Sequence, residues 1–136
     1  MSDAFKVPVP TNEPIKDYAP NSQEKKSLVA KINELSSTKV EIPIIIDGKE
    51  IKTGNTGDCV KPYNHAHILG KYHKAGEEQV KMAIESSLDA WNDWSQTSFE
   101  FRAKIFLKMA ELLAGPYRDI INASTMLNMS KNAYQS

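Results

Sequence analysis

The sequence is poor in the features that mark secreted, membrane-spanning and nucleic-acid-binding proteins. It has one cysteine, Cys59, in 136 residues, so no internal disulfide can form, which fits a reducing compartment. No apolar run approaches the roughly 18–20 residues that a membrane-spanning helix needs. The longest, residues 42–46, is interrupted by Pro43. The 17 Lys and Arg are balanced by 17 Asp and Glu, which leaves no global field to attract phosphate backbones or anionic lipid. Neither a nucleic acid nor a membrane is expected as a partner. The first twenty residues hold Asp3, Glu13 and Asp17 and no arginine. They have neither the apolar stretch of a secretory signal nor the Arg-rich, acid-poor composition of a mitochondrial transit peptide. The protein is therefore expected to stay where it is made, unless a targeting segment is missing from this chain.

What is present reads as an arm followed by mixed α and β segments. Residues 1–20 carry Pro8, Pro10, Pro14 and Pro20; proline removes backbone donors and fixes φ, so an extended arm is predicted. Asn21 or Ser22 can cap a helix with Glu24 in its first turn, and Leu28, Val29, Ile32 and Leu35 then recur at helical spacing. Residues 40–46 are β-branched and run into Asp47-Gly48, the dipeptide of a type I′ turn, so a hairpin over 40–53 is predicted. Residues 54–58 read as a polar loop, 62–64 as a break, and 68–73 as a third short strand with Gly70 as its weak point.

From Glu77 the period becomes helical. Three helices are predicted, over about 77–94, 98–114 and 116–128. Val80, Ala83, Ile84, Ser87, Leu88 and Trp91 form one stripe, which Trp94 extends. Thr97-Ser98-Phe99-Glu100 reads as a capping box with Thr97 as the cap. Ile105, Phe106, Met109, Leu112 and Leu113 should be the buried face of the next helix, closed by a left-handed Gly115 and by Pro116. Tyr117, Ile120, Ile121, Ser124 and Leu127 begin the last. Residues 126–136 keep helical composition without a stop signal, so Ser136 reads as an interruption. The fold class is α/β, with an α+β arrangement in this stretch: an arm over 1–20, then one incomplete domain over 21–136.

Few residues suggest chemistry. Cys59, His65, His67 and His73 all occupy odd positions and would share one face of a continuous strand, as a zinc ligand set. Their spacing matches no compact zinc motif, and Pro62 and Gly70 break the strand; solvated histidines beside a turn and a partly buried thiol are the reading preferred. Cys59 as a nucleophile would need a cation or a helix N-terminus at its sulfur, and only Lys61 and His65 are near in sequence. Gly54-Asn55-Thr56-Gly57 lacks the Lys-Ser/Thr that completes a phosphate loop and does not open a helix. Trp91 and Trp94 read as helix-packing anchors. No catalytic, cofactor-binding or metal-binding residue is assigned.

The segments taken in order resemble one family. Asn12-Glu13-Pro14, Ile42-Pro43 before a hairpin, and Pro62-Tyr63-Asn64-His65-Ala66-His67 are similar to the start of the 1-pyrroline-5-carboxylate dehydrogenases, within the aldehyde dehydrogenase superfamily. The likeness continues through Arg102-Ala103-Lys104-Ile105-Phe106-Leu107-Lys108, Leu112-Leu113-Ala114-Gly115-Pro116-Tyr117-Arg118 and Thr125-Met126-Leu127 to Ser130-Lys131-Asn132-Ala133-Tyr134-Gln135. It departs at Asn128 and Met129, where relatives usually have Gly and Gln.

The resemblance implies oxidation of L-glutamate γ-semialdehyde to L-glutamate with NAD in proline catabolism. A cysteine thiolate attacks the aldehyde, hydride passes to the nicotinamide, and a glutamate-assisted water releases the acid. All of those residues lie beyond residue 136 in the family, and Cys59 does not match the catalytic cysteine. The chain is thus expected to be an inactive N-terminal portion whose partner is the remainder of the dehydrogenase. The resemblance also implies a homo-oligomer built through the hairpin, with Ile44, Ile45, Ile46 and Ile51 covered by later chain or a neighbouring subunit. The compartment would be the mitochondrial matrix in a eukaryote and the cytoplasm in a bacterium. Two other readings are a short interaction module that pairs through the hairpin and a small metal-binding domain.

Overall fold

A computed structural model describes residues 8, 9 and 11–136. Of the predicted arm, residues 1–7 and 10 fall outside the described part. Residues 11–19 contain neither helix nor strand. They are tied down by side chains from far along the chain: Arg118 Nη1 donates to the Pro14 carbonyl at 3.2 Å, and the Tyr134 hydroxyl donates to the Asp17 carbonyl at 2.6 Å. Asn122 donates to the Tyr18 hydroxyl at 3.2 Å, and the Tyr18 and Tyr134 rings meet edge to face. Proline-rich backbone cannot satisfy itself, so an ordered arm must borrow partners in this way.

Helix α1 spans Gln23–Ser37, and Ser22 caps it by accepting from the Lys25 N–H at 3.3 Å. It lies on α4, Arg118–Met129. Leu28 and Leu127 are each 3% exposed there and Ala123 is fully buried, a small residue that lets the two helices approach. Ser27 donates to Asp119 across the same contact.

Pro43 divides what the β-branched run suggested was one strand. Strand β1, Val40–Ile42, pairs parallel with β5, Asn64–His73, whereas β2, Ile44–Ile46, pairs antiparallel with β3, Lys49–Ile51. The hairpin is therefore 44–51 rather than 40–53. Proline offers no ladder N–H, so the pairing changes partner at that residue. The turn is as the dipeptide requires, with positive φ at both Asp47 and Gly48.

The sheet containing β1 has the order β1-β5-β4, with β4 formed by Thr56–Lys61. β4 takes in residues 56–58 of the predicted loop, and β5 begins at Asn64, inside the predicted break. The composition of β4, Thr-Gly-Asp-Cys, lacks strand signal, and its pairing with the longer β5 supplies what propensity does not. Gly70 sits mid-strand in β5, opposite Val40 on one side and Cys59 on the other. A Cβ there would collide with the Val40 carbonyl oxygen and come within 2.7 Å of its Cγ2. It marks a close backbone approach rather than a weak point.

Helices α2, Glu77–Gln96, and α3, Phe99–Ala114, follow. Ser98, not Thr97, caps α3 by accepting from the Phe101 N–H at 3.2 Å, while Thr97 turns back and donates to the Trp94 carbonyl at 2.7 Å. Gly115 has φ −107°, so the left-handed cap is not formed there. The end is tied instead by the Gly115 and Tyr117 N–H groups, donating to the Glu111 and Leu112 carbonyls. α4 stops at Ser130, whose φ of 55° places it in the left-handed region; the helical composition does not carry on to residue 136.

The apolar stripe of α2 and the face of α3 predicted to be buried are both bare. Neither helix has a buried residue; Leu88 is 65%, Trp91 63% and Phe106 64% exposed. Among the described residues the buried apolar set is Leu28, Leu69, Ala123 and Leu127. It lies between the three-stranded sheet and the α1–α4 pair.

Candidate functional site

The four residues of the zinc-like pattern do not converge. His73 is buried at the end of β5, with Nε2 3.0 Å from Glu41 Oε1. His67 places Nε2 2.9 Å from the Ser36 carbonyl, and His65 is exposed. Among the described residues no three His, Cys, Asp or Glu side chains gather in a way that could hold a metal ion.

Cys59 is half-buried in a recess of about 320 Å³ between β1, β4, β5 and the ends of α1 and α4. Leu35, Val40, Ile42, Leu69 and Leu127 supply its apolar lining, and among the described residues no His, Asp, Glu, Lys or Arg borders it. Lys61 is turned elsewhere: its Nζ donates to Ser36 Oγ at 2.5 Å and lies 5.9 Å from the centre of the Tyr63 ring. Among the described residues the thiol thus has no neighbouring base or cation to make it a nucleophile. Residues 54–57 lead into strand β4, so they present none of the helix-terminal N–H groups that seat a pyrophosphate. The residues present do not fit a dinucleotide.

Trp91 and Trp94 occur on the bare surface of α2, where Trp94 is 42% exposed. Beside them Val80, Ala83, Ile84, Ser87 and Leu88 form a shallow apolar groove. On α3, Phe106 and Met109 are likewise more than half exposed.

A polar cluster that no motif announces joins the hairpin to the sheet. Glu41 accepts from Lys52 Nζ at 2.5 Å on one oxygen and meets His73 on the other. Lys52 chiefly, and His73 next, hold the Glu41 carboxyl below its ordinary value, while Glu41 raises the Lys52 ammonium. In the turn, Lys49 similarly lowers Asp47, and Asp47 raises Lys49. Isolated Glu, Lys and His at separations of 11 and 32 residues carry no pattern that could have revealed the cluster.

Comparison with known proteins matches this architecture to a family. The description "Aldehyde dehydrogenase family" fits residues 50–136. The probable delta-1-pyrroline-5-carboxylate dehydrogenase of Schizosaccharomyces pombe is 40% identical over 133 residues, covering 97% of this chain and 24% of that protein. The mitochondrial delta-1-pyrroline-5-carboxylate dehydrogenase of Dictyostelium discoideum is 35% identical over 130 residues, covering 96% and 23%. The crystal structure of the Mycobacterium tuberculosis delta-pyrroline-5-carboxylate dehydrogenase bound with NAD superposes with a TM-score of 0.94 at 40% identity, over 99% of this chain and 25% of that one. The chain spans about a quarter of the length of the curated relatives it matches. With a matching family region that covers α2, α3, α4 and most of the sheet, the chain belongs to the aldehyde dehydrogenase family.

Proposed function

We propose that this chain is N-terminal scaffold of an NAD-dependent dehydrogenase that oxidises L-glutamate γ-semialdehyde, the open form of 1-pyrroline-5-carboxylate, to L-glutamate. The thiolate and the dinucleotide pocket belong to the other three quarters of such an enzyme. The observation that carries the reading is the bare apolar surface of α2 and α3, with Leu88, Trp91 and Phe106 each more than 60% exposed. A surface of that composition needs covering by a larger body. The 40% identity to the Schizosaccharomyces pombe protein supports the substrate, and the NAD-bound neighbour supports the cofactor.

The chain's own residues do no chemistry in this reading. They order the arm and hairpin and offer the bare apolar faces of α2 and α3 for docking. The β2–β3 hairpin, with Ile45 60% exposed, is an oligomerisation element, since two strands alone are marginal in water. The compartment is the mitochondrial matrix if the source is eukaryotic, as the name of the Dictyostelium relative supports, and the cytoplasm if bacterial. Among the described residues no helix is long and apolar enough to cross a membrane.

The test is to assay the purified chain with the semialdehyde and NAD, alone and mixed with a polypeptide carrying the remaining part of a relative. NADH should form only in the mixture. Turnover by the chain alone would overturn the assignment, as would failure of the mixture while the chain binds and remains folded.

A further inference from the structure

We propose that His73 is a proton-sensitive latch that fastens the 52–55 loop, the link between the hairpin and the three-stranded sheet. The ring is enclosed, with its side chain 4% exposed. The Gly54 N–H donates to Nδ1 at 3.2 Å, so Nδ1 must carry a lone pair and the ring proton must sit on Nε2. That proton is directed at Glu41 Oε1, 3.0 Å away. The neutral Nε2–H form is the one arrangement that satisfies both neighbours.

The other ties of the loop do not depend on the ring. Lys52 donates to Glu41, Thr53 Oγ1 donates to the Lys74 carbonyl at 3.1 Å, and the Lys74 N–H donates to Asn55 at 2.8 Å. Gly54 has φ +78°, a conformation that glycine adopts freely and that presents its N–H to the imidazole. A doubly protonated ring has no acceptor. Its Nδ1–H would then face the Gly54 N–H, while its contact with the Glu41 carboxylate would strengthen. Acid therefore keeps the ring on β1 and frees the Gly54 N–H, while the ring-independent ties of the loop stay.

The surrounding charges do not oppose this. Glu41 on β1 stays ionised over the relevant range because Lys52 and His73 hold its carboxyl low. Lys71 on β5 is in register with Glu41 on one side and with Asp58 of β4 on the other, and Glu41 raises the Lys52 ammonium. Of the other two histidines, His67 bonds the Ser36 carbonyl through Nε2. That nitrogen can donate whether or not the ring is charged, so acid leaves the bond intact.

Nitrogen-15 NMR of the full chain tests the proposal. At pH 8 the His73 proton should reside on Nε2. Between pH 8 and pH 5 the Gly54 amide, corrected for intrinsic exchange, should lose protection by roughly five- to tenfold, the worth of one net hydrogen bond. The β4–β5 amides should keep theirs. His73→Asn puts an untitratable oxygen in the Nδ1 position, and its Gly54 protection should be flat with pH. A ring proton on Nδ1, an unchanged Gly54 amide in the native chain, acid loss spread across β4–β5, or the same acid response in H73N would each overturn the latch.

Discussion

Two glycines of the same sheet should respond unequally to the same substitution, because what stands in the way differs. In Gly70→Ala the new Cβ meets the Val40 carbonyl oxygen and comes 2.7 Å from Val40 Cγ2. The oxygen belongs to backbone, so relief requires β1 to move, and β1 is held by only three register pairs ending at Ile42, next to Pro43. Overpacking plus lost ladder hydrogen bonds gives a cost of about 2–4 kcal/mol. In Gly57→Ala the obstacle is the Tyr72 ring, 2.5 Å away at Cζ. That side chain is 40% exposed and can swing outward, while alanine gains the backbone entropy that glycine forfeits, so the net should be within about 1 kcal/mol of zero. Urea titration followed by far-UV circular dichroism measures both costs, and amide exchange at Glu41 and Ile42 reports whether β1 has left. Val40→Ala in the Gly70→Ala background removes the methyl clash and leaves the oxygen, so it should rescue only partly. Equal costs for the two glycines, or full protection of Glu41 in Gly70→Ala, would show that backbone obstruction does not govern this strand.

Ser98→Ala should weaken α3 by about 1 kcal/mol through loss of its cap, and Thr97→Ala by less, as measured by thermal melts; the reverse order would restore Thr97 as the cap. Glu41 has its carboxyl held low by Lys52 first and His73 second. A depressed carboxylate stabilises above the ordinary Glu range and ceases to do so as pH falls through its lowered value. Lys52→Gln should therefore move the NMR titration midpoint of Glu41 upward, and an unmoved midpoint would count against the pair. Trp91→Ser, at a position 63% exposed, should change the stability of the chain alone by no more than about 0.5 kcal/mol and should reduce its binding of a hydrophobic dye. A large stability loss would mean that Trp91 is packed within this chain.

Local chemistry was the readable part of the sequence. Ser22, Asp47-Gly48 and the helical periods after Glu77 each act through neighbours a few residues away, and the structure has a cap, a turn and helices at those places. What escaped depends on distant partners. β4 exists because β5 lies beside it, and β1 leaves the hairpin because Pro43 has no N–H and Gly70 admits a neighbouring backbone. The periodic stripes of α2 and α3 revealed which faces are apolar, but periodicity does not say whether the covering surface is in the same chain. The candidate chemistry failed for a related reason: odd numbering aligns Cys59 and three histidines only on one uninterrupted strand, and here Cys59 stands on β4, apart from the three histidines of β5, across an irregular pairing. The Glu41–His73–Lys52 cluster was illegible because the three residues meet only after β1 has found β5.

Helix α1 finds its partner 92 residues later, where Ser27 meets Asp119. A ribosome making about 5–20 residues per second must therefore run for several seconds before that partner exists. Throughout that interval Leu28 has nowhere to go, and a nascent-chain chaperone that grips apolar segments would find α1 available. Everything from β1 to α3 emerges in between, so the two helices at the ends of the segment are buttoned together last.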